Sequence, residues 1–149
     1  MINEVRGNIW DMLDKDSVVF ILTNNSIYNG KNPMGGGIAR EALNRNPGVD
    51  SIVAECIKSN SFNLKRDALS GASMVRFPTK VSVHSLYSDV ELIEDSLHRV
   101  KLIAEKFPLK KLYVPRPGCG YGGLDWDSEV KPLCEKYLDN LKNVFVVTF

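Results

Sequence analysis

The longest apolar run in the chain, Ser17-Val18-Val19-Phe20-Ile21-Leu22-Thr23, is unbroken and rich in β-branched residues. Such a run suits a central strand buried on both faces. Further strand-like runs span Ile2 to Arg6, Gly71 to Phe77, Leu112 to Pro115 and Asn143 to Phe149, with Pro78-Thr79-Lys80 closing the second of these. Between them the apolar positions shift to helical spacing. Ile38 to Leu43 is helix-prone and is broken by Pro47-Gly48. Val49, Ile52, Val53, Cys56 and Ile57 mark one buried stripe, and Ile93, Leu97, Val100, Ala104 and Phe107 a second. Val130, Leu133, Cys134, Tyr137, Leu138 and Leu141 mark the last, with Pro132 in the first turn, where a missing N–H costs little. Ser88 or Asp89 caps the second of these helices, and Asp125, Asp127 or Ser128 the last. Ile9 to Leu13 suits one helical turn, and Val81 to His84 a strand or a loop. Asn60 to Ser70 is polar and shows no period. Strands that alternate with helices predict an α/β fold with a largely parallel sheet covered on both faces.

Two glycine clusters fall between a strand and a helix. One is Met34-Gly35-Gly36-Gly37, and the other is Pro117-Gly118-Cys119-Gly120-Tyr121-Gly122-Gly123. Glycine there lets bare N–H groups approach a ligand, and successive N–H groups form a concave anion site. Gly118, Gly120 and Gly123 formally spell the dinucleotide fingerprint, but only one strand remains after them, so a Rossmann unit is excluded by position. No Gly-Lys-Ser/Thr follows, which excludes a P-loop. Cys119 has no base marked for it and no arginine after it, so it reads as a small half-buried side chain and not as a phosphatase nucleophile. Ligands of α/β sheets bind outside the carboxyl ends of the strands. Both clusters and Lys80 follow strands, so the three can meet at one rim.

The 149 residues suit one domain, and a net charge of +1 supplies no bulk field toward nucleic acid or a membrane surface. Cys56, Cys119 and Cys134 are odd in number and unpaired in spacing, which fits a reducing cytoplasm. No His, Asp, Glu or Cys grouping has metal-ligand spacing, and no run is long enough to span a bilayer. His98 is expected on the outer side of its helix, and His84 at a surface or strand end.

In order and spacing, Gly7-Asn8-Ile9, Met34-Gly35-Gly36-Gly37-Ile38-Ala39 and Pro115-Arg116-Pro117-Gly118-Cys119-Gly120-Tyr121-Gly122-Gly123-Leu124-Asp125-Trp126 resemble the macrodomain family. The likeness spans nearly the whole chain. It is nearest the branch of ADP-ribose 1″-phosphate phosphatases, DarG-type antitoxins and TARG-type ADP-ribosyl hydrolases. It implies a three-layer α/β/α fold over residues 1–149 with a mostly parallel mixed sheet, a ligand of the ADP-ribose type, a monomer, and no metal or cofactor. Carried over by position, Asn8 and Ile9 would meet adenine, although many macrodomains have aspartate at the first of these. Met34, Gly35, Gly36, Gly37 and Ile38 would line the diphosphate and distal ribose, and Pro117, Gly118, Cys119, Gly120, Tyr121 and Gly122 would close from the other side. Thr23, Asn24 and Asn25 would form the floor near the distal ribose. Phe77-Pro78-Thr79-Lys80 resembles the stretch that carries the catalytic lysine in DarG-type proteins. The second acid of TARG-type enzymes falls at Gly122, and Asp125, three residues on, is a helix cap or a site residue. The resemblance implies removal of ADP-ribose from a modified macromolecule. A phosphatase acting on ADP-ribose 1″-phosphate and a non-catalytic reader share the same glycine loops.

Overall fold

The computed structural model describes residues 1–149. In chain order the strands are β1 (Asn3–Arg6), β2 (Ser17–Asn24), β3 (Asn63–Arg66), β4 (Ser73–Lys80), β5 (Lys111–Pro115) and β6 (Val144–Thr148). The helices are α1 (Gly37–Arg45), α2 (Val49–Ser59), α3 (Val90–Lys106) and α4 (Lys131–Leu138). A 3-10 turn, Ile9–Met12, follows β1, and a wide π turn, Trp126–Val130, opens α4. The strands form one sheet in the order β1-β6-β5-β2-β4-β3, parallel throughout except for β3 on β4. No helix is long and apolar enough to cross a membrane.

The period-two alternation of side chains divides the core. Val18 and Phe20 of β2 point into a layer shared with Ile93, Leu97 and Val100 of α3 and Cys134 and Leu138 of α4. Val19 and Ile21 point the other way, onto Ala39 and Ala42 of α1, Val49 and Val53 of α2, and Ile9 and Trp10 of the 3-10 turn. The doubly buried run is therefore the middle of an α/β/α sandwich.

Three local expectations change. The polar stretch Asn60 to Ser70 holds β3, which has no buried residue and is held by main-chain pairing along one side of β4. Pro78 does not close β4, which runs on to Lys80. Arg76 donates its N–H outward to the Phe62 carbonyl, and Pro78 has the same parity, beyond the end of β3. The missing donor thus falls on an unpaired edge, where proline is tolerated. Phe107 leaves the inner stripe of α3 and is 42% exposed, because the helix ends at Lys106. Val81 to His84 is a loop, and Asp89, not Ser88, caps α3 by accepting from the Leu92 N–H at 3.0 Å.

Candidate functional site

A cleft of about 890 Å³ runs along the carboxyl ends of all five parallel strands. Its wall includes Gly7 and Asn8 after β1, Thr148 and Phe149 at β6, Pro115 and Arg116 at β5, Thr23 and Asn24 at β2, and Thr79 and Lys80 at β4. The sheet order gives this row a direction. Asn8 stands at the β1 end and Lys80 at the β4 end, four strand spacings apart, which is roughly 19 Å. That length suits a ligand with a base at one end, a sugar at the other and a linker between them.

The two glycine turns stand in the middle of the row. Gly35, Gly36 and Gly37 lead into α1, and Gly118, Cys119, Gly120, Tyr121 and Gly122 follow β5. The turns meet through the Tyr121 ring, which lies 3.2 Å from the point where a side chain on Gly36 would begin. Around Gly120 the same construction finds no atom within 4 Å, so nothing in the protein occupies that space. Gly122 is the opposite case. A side chain there would run into Ser88 Oγ and the Gly118 carbonyl, so no acid can replace it in this loop. Ser88 donates its N–H to the Gly122 carbonyl at 2.9 Å and ties the turn to the start of α3.

At the β4 end, Lys80 Nζ donates to the Tyr121 carbonyl at 3.3 Å. No carboxylate pairs with it. Three buried side-chain polar atoms lack any hydrogen-bond partner: Thr23 Oγ1, Asn32 Oδ1 and Ser88 Oγ. All three residues line the cleft. A buried polar atom without a partner costs roughly 1–3 kcal/mol, and that cost falls here on residues of the cleft. The Asn32 amide is oriented by its neighbours. Its Nδ2 donates to the Asn24 carbonyl, to Asn24 Oδ1 and to the Ser26 carbonyl, which leaves Oδ1 as the unbonded acceptor.

Other expected residues serve the fold. Met34 is 3% exposed and packs in the core against α1 and α2. Asn25 is not in the cleft wall, because its Oδ1 accepts from buried Arg76 at 3.0 Å. Pro117 is buried behind the turn. Asp125 also lies outside the wall and caps the π turn, accepting from the Ser128 N–H at 2.8 Å and its hydroxyl at 2.7 Å. Burial pushes the Cys119 thiol up to about 11, so it is protonated near neutrality. His84 is exposed and bonds Tyr28 through Nε2 at 3.0 Å, and His98 is exposed against Tyr137. No three His, Cys, Asp or Glu side chains converge on a point that would hold a metal ion.

No family model and no curated protein matches the chain. Solved structures do. The macrodomain of Thermus aquaticus DarG superposes with a TM-score of 0.76 at 24% identity, covering 100% of this chain and 97% of that one. The macrodomain of Mycobacterium tuberculosis DarG gives 0.75 at 23%, covering 99% and 95%. The chain has the macrodomain fold. A further structure, Thermosipho africanus DarTG in complex with ADP-ribose, matches this macrodomain fold at a TM-score of 0.76 and 25% identity, covering 99% of this chain and 42% of that one.

The macrodomain cleft also draws on residues that carry no motif. Leu22, Asn32, Pro33, Glu41, Ser88 and Phe149 line it, and so do Gly7 and Arg116, which stand inside the motif blocks without a role assigned to them. Strand polarity was a signal for Arg116, which follows a predicted strand, and for Phe149, the last residue of one. Glu41 is an ordinary polar residue of α1 and Ser88 was marked only as a candidate helix cap, so nothing local tied either to the cleft.

Proposed function

We propose that this cleft binds ADP-ribose and that the protein removes ADP-ribose from a modified macromolecule, with Lys80 as the nucleophile. One observation carries the reading: Asn8 and Lys80 end the same row of strand termini, with two glycine turns between them. In this reading Asn8, Ile9 and Phe149 meet the base, and Gly35 to Gly37 and Gly118 to Gly122 meet the diphosphate. Thr23, Asn24 and Lys80 face the distal ribose. Main-chain N–H groups and the start of α1 can hold a diphosphate without a large positive charge, which suits a chain of net charge +1. The solved DarTG complex with ADP-ribose supports the ligand class.

The chemistry needs one nucleophile. The Lys80 amine attacks the anomeric carbon of the distal ribose. The bond to the acceptor breaks with its electron pair, the acceptor takes up a proton, and water then releases ADP-ribose from the lysine. Gly122 is closed to any side chain and Asp125 lies outside the cleft, so neither position brings a carboxylate to this task.

The test is a panel of ADP-ribosylated protein, ADP-ribosylated DNA and ADP-ribose 1″-phosphate, run with Lys80→Ala and Lys80→Arg. Both variants should keep ADP-ribose binding and lose turnover, since guanidinium stays protonated. A mass-spectrometric adduct of ADP-ribose on Lys80 would be direct support. Full turnover by Lys80→Ala on a substrate the parent cleaves would remove Lys80 from the mechanism.

A further inference from the structure

A group bonded to the anomeric carbon of the distal ribose leaves the cleft at the Lys80 end, so the surface around Lys80 is the one that meets the acceptor. That surface draws on the segment between β4 and α3, residues 81–89, and on Tyr28 and Tyr121. Val83 and Tyr121 belong to the cleft wall together with Lys80, whose Nζ donates to the Tyr121 carbonyl. Val81 follows Lys80 directly, Tyr28 lies against His84, and Tyr87 lies against the second glycine turn at Gly123. Val81, Tyr28 and Tyr87 are all exposed, and Leu86 and Tyr121 are 84% exposed. Contiguous apolar surface left in water marks a place where another molecule docks.

The rim is anchored along its length. Val83 donates its N–H to Ser26 Oγ at 2.9 Å, and Tyr28 Oη and His84 Nε2 are 3.0 Å apart. The Tyr87 ring comes within 2.8 Å of the point where a side chain on Gly123 would begin. Asp89 donates its N–H to the Thr79 carbonyl at 2.7 Å. The exposed side chains are therefore presented on a fixed backbone, which lowers the cost of ordering them on binding.

Charge decides which kind of acceptor fits. Residues 81–89 contain no lysine or arginine, and their one acid, Asp89, caps α3. Lys31 pairs with Tyr28 through the main chain, but it lines a separate recess with Arg40 and Asp50. A nucleic-acid acceptor brings phosphates on both sides of the modified nucleotide, and single-strand platforms combine aromatic stacking with a cationic groove. This rim has aromatic rings without that groove. A polypeptide needs no cations and can bury aliphatic and aromatic side chains here. We propose that the rim of Val81, Leu86, Tyr28 and Tyr87 docks a protein acceptor, at apolar residues that flank its ADP-ribosylated side chain. This rests on the ADP-ribose reading above and supplies the substrate class of the same site.

The test is calorimetry on the parent, Val81→Glu and Leu86→Glu. The probes are free ADP-ribose and uncleavable conjugates, in which a carbon–carbon bond joins the anomeric carbon to the carrier. One carrier is a short peptide with leucine and phenylalanine beside the attachment point. The others are the same peptide with lysine and aspartate there, and a single-stranded oligonucleotide. The parent should bind the apolar conjugate about tenfold more tightly than free ADP-ribose, and the other two conjugates no more tightly than free ADP-ribose. Neither Val81 nor Leu86 is in the cleft wall, so both variants should keep the parent's affinity for free ADP-ribose and lose the tenfold gain. The inference is overturned if the apolar conjugate gains nothing over free ADP-ribose, if the oligonucleotide conjugate binds as tightly as the apolar one, or if both variants keep the gain. A parent that sediments as a dimer, with a monomeric Leu86→Glu variant, would give the rim to a second copy and overturn it as well. Failure of the parent to bind free ADP-ribose overturns the ADP-ribose reading itself, and this one with it.

Discussion

Gly120→Val separates a binding role for the second glycine turn from a folding role. A side chain at Gly120 meets no atom within 4 Å, and this glycine is absent from those with positive φ. Valine therefore fits the free protein, with a stability change within about 1 kcal/mol in either direction. For a chain of this length that moves the melting temperature by no more than about 4 °C. The effect on the ligand is larger. The isopropyl group fills the space from which phosphate oxygens would approach the main chain. Two hydrogen bonds to a charged group, at about 1.5–3 kcal/mol each, are then lost or stretched. The expected loss is about 3 kcal/mol or more, roughly a hundredfold in affinity. From a starting affinity near micromolar, binding would weaken to about 0.1 mM. Calorimetry reads this directly, and thermal melts give a second measure. Ligand at about 100 times Kd adds ~2.7 kcal/mol to the parent, and Gly120→Val should lose nearly all of that shift. Gly122→Ala is the contrast, because its side chain has no room and the free protein itself should melt early. If Gly120→Val binds ADP-ribose as the parent does, the turn is not the phosphate cradle. If it melts as early as Gly122→Ala, the space at Gly120 is not open.

Thr23→Val and Ser88→Ala remove hydroxyls that have no partner in the free protein, so both should leave its stability unchanged or raised, while a role in sugar binding would appear as weaker ADP-ribose binding in calorimetry. Burial alone would raise the Asp67 carboxyl, but hydrogen bonds from Arg45, Asn46 and Ser70 hold it well below the usual carboxylate range. Its contribution to stability is full above the unfolded value of about 4 and falls away as pH drops below that. Asp67→Asn should cost about 3 kcal/mol at neutral pH and flatten the acid limb of stability, as followed by urea unfolding across pH. With Cys119 pushed up to about 11, iodoacetamide should label it slowly near neutrality and faster only as pH approaches that value. Rapid labelling by peptide mapping at neutral pH would contradict the burial of this thiol.

Local pattern carried the elements, and the order of strand ends carried the site. The run from Ser17 to Thr23 is apolar at every position between its ends, and that alone marks a strand covered on both faces. The glycine turns and Lys80 were legible for a similar reason, because a strand, a turn and a polar residue are close neighbours in sequence. β3 was not legible. It has no buried residue, and its pairing is supplied by a partner strand and not by its own side chains. Asn24-Asn25 and Asn32 show the same limit within the site. The adjacent pair looks like one functional unit, yet Asn25 supports Arg76 while Asn32 brings an unbonded oxygen to the cleft. Glu41 and Ser88 likewise acquire neighbours only when α1 and α3 dock on opposite faces of the sheet. Alternation and turn chemistry are properties of a few consecutive residues, so the sequence itself determined every strand but β3, the helices and the two turns. The strand order β1-β6-β5-β2-β4-β3 joins segments from both ends of the chain, and only that packing decided which side chains share the cleft.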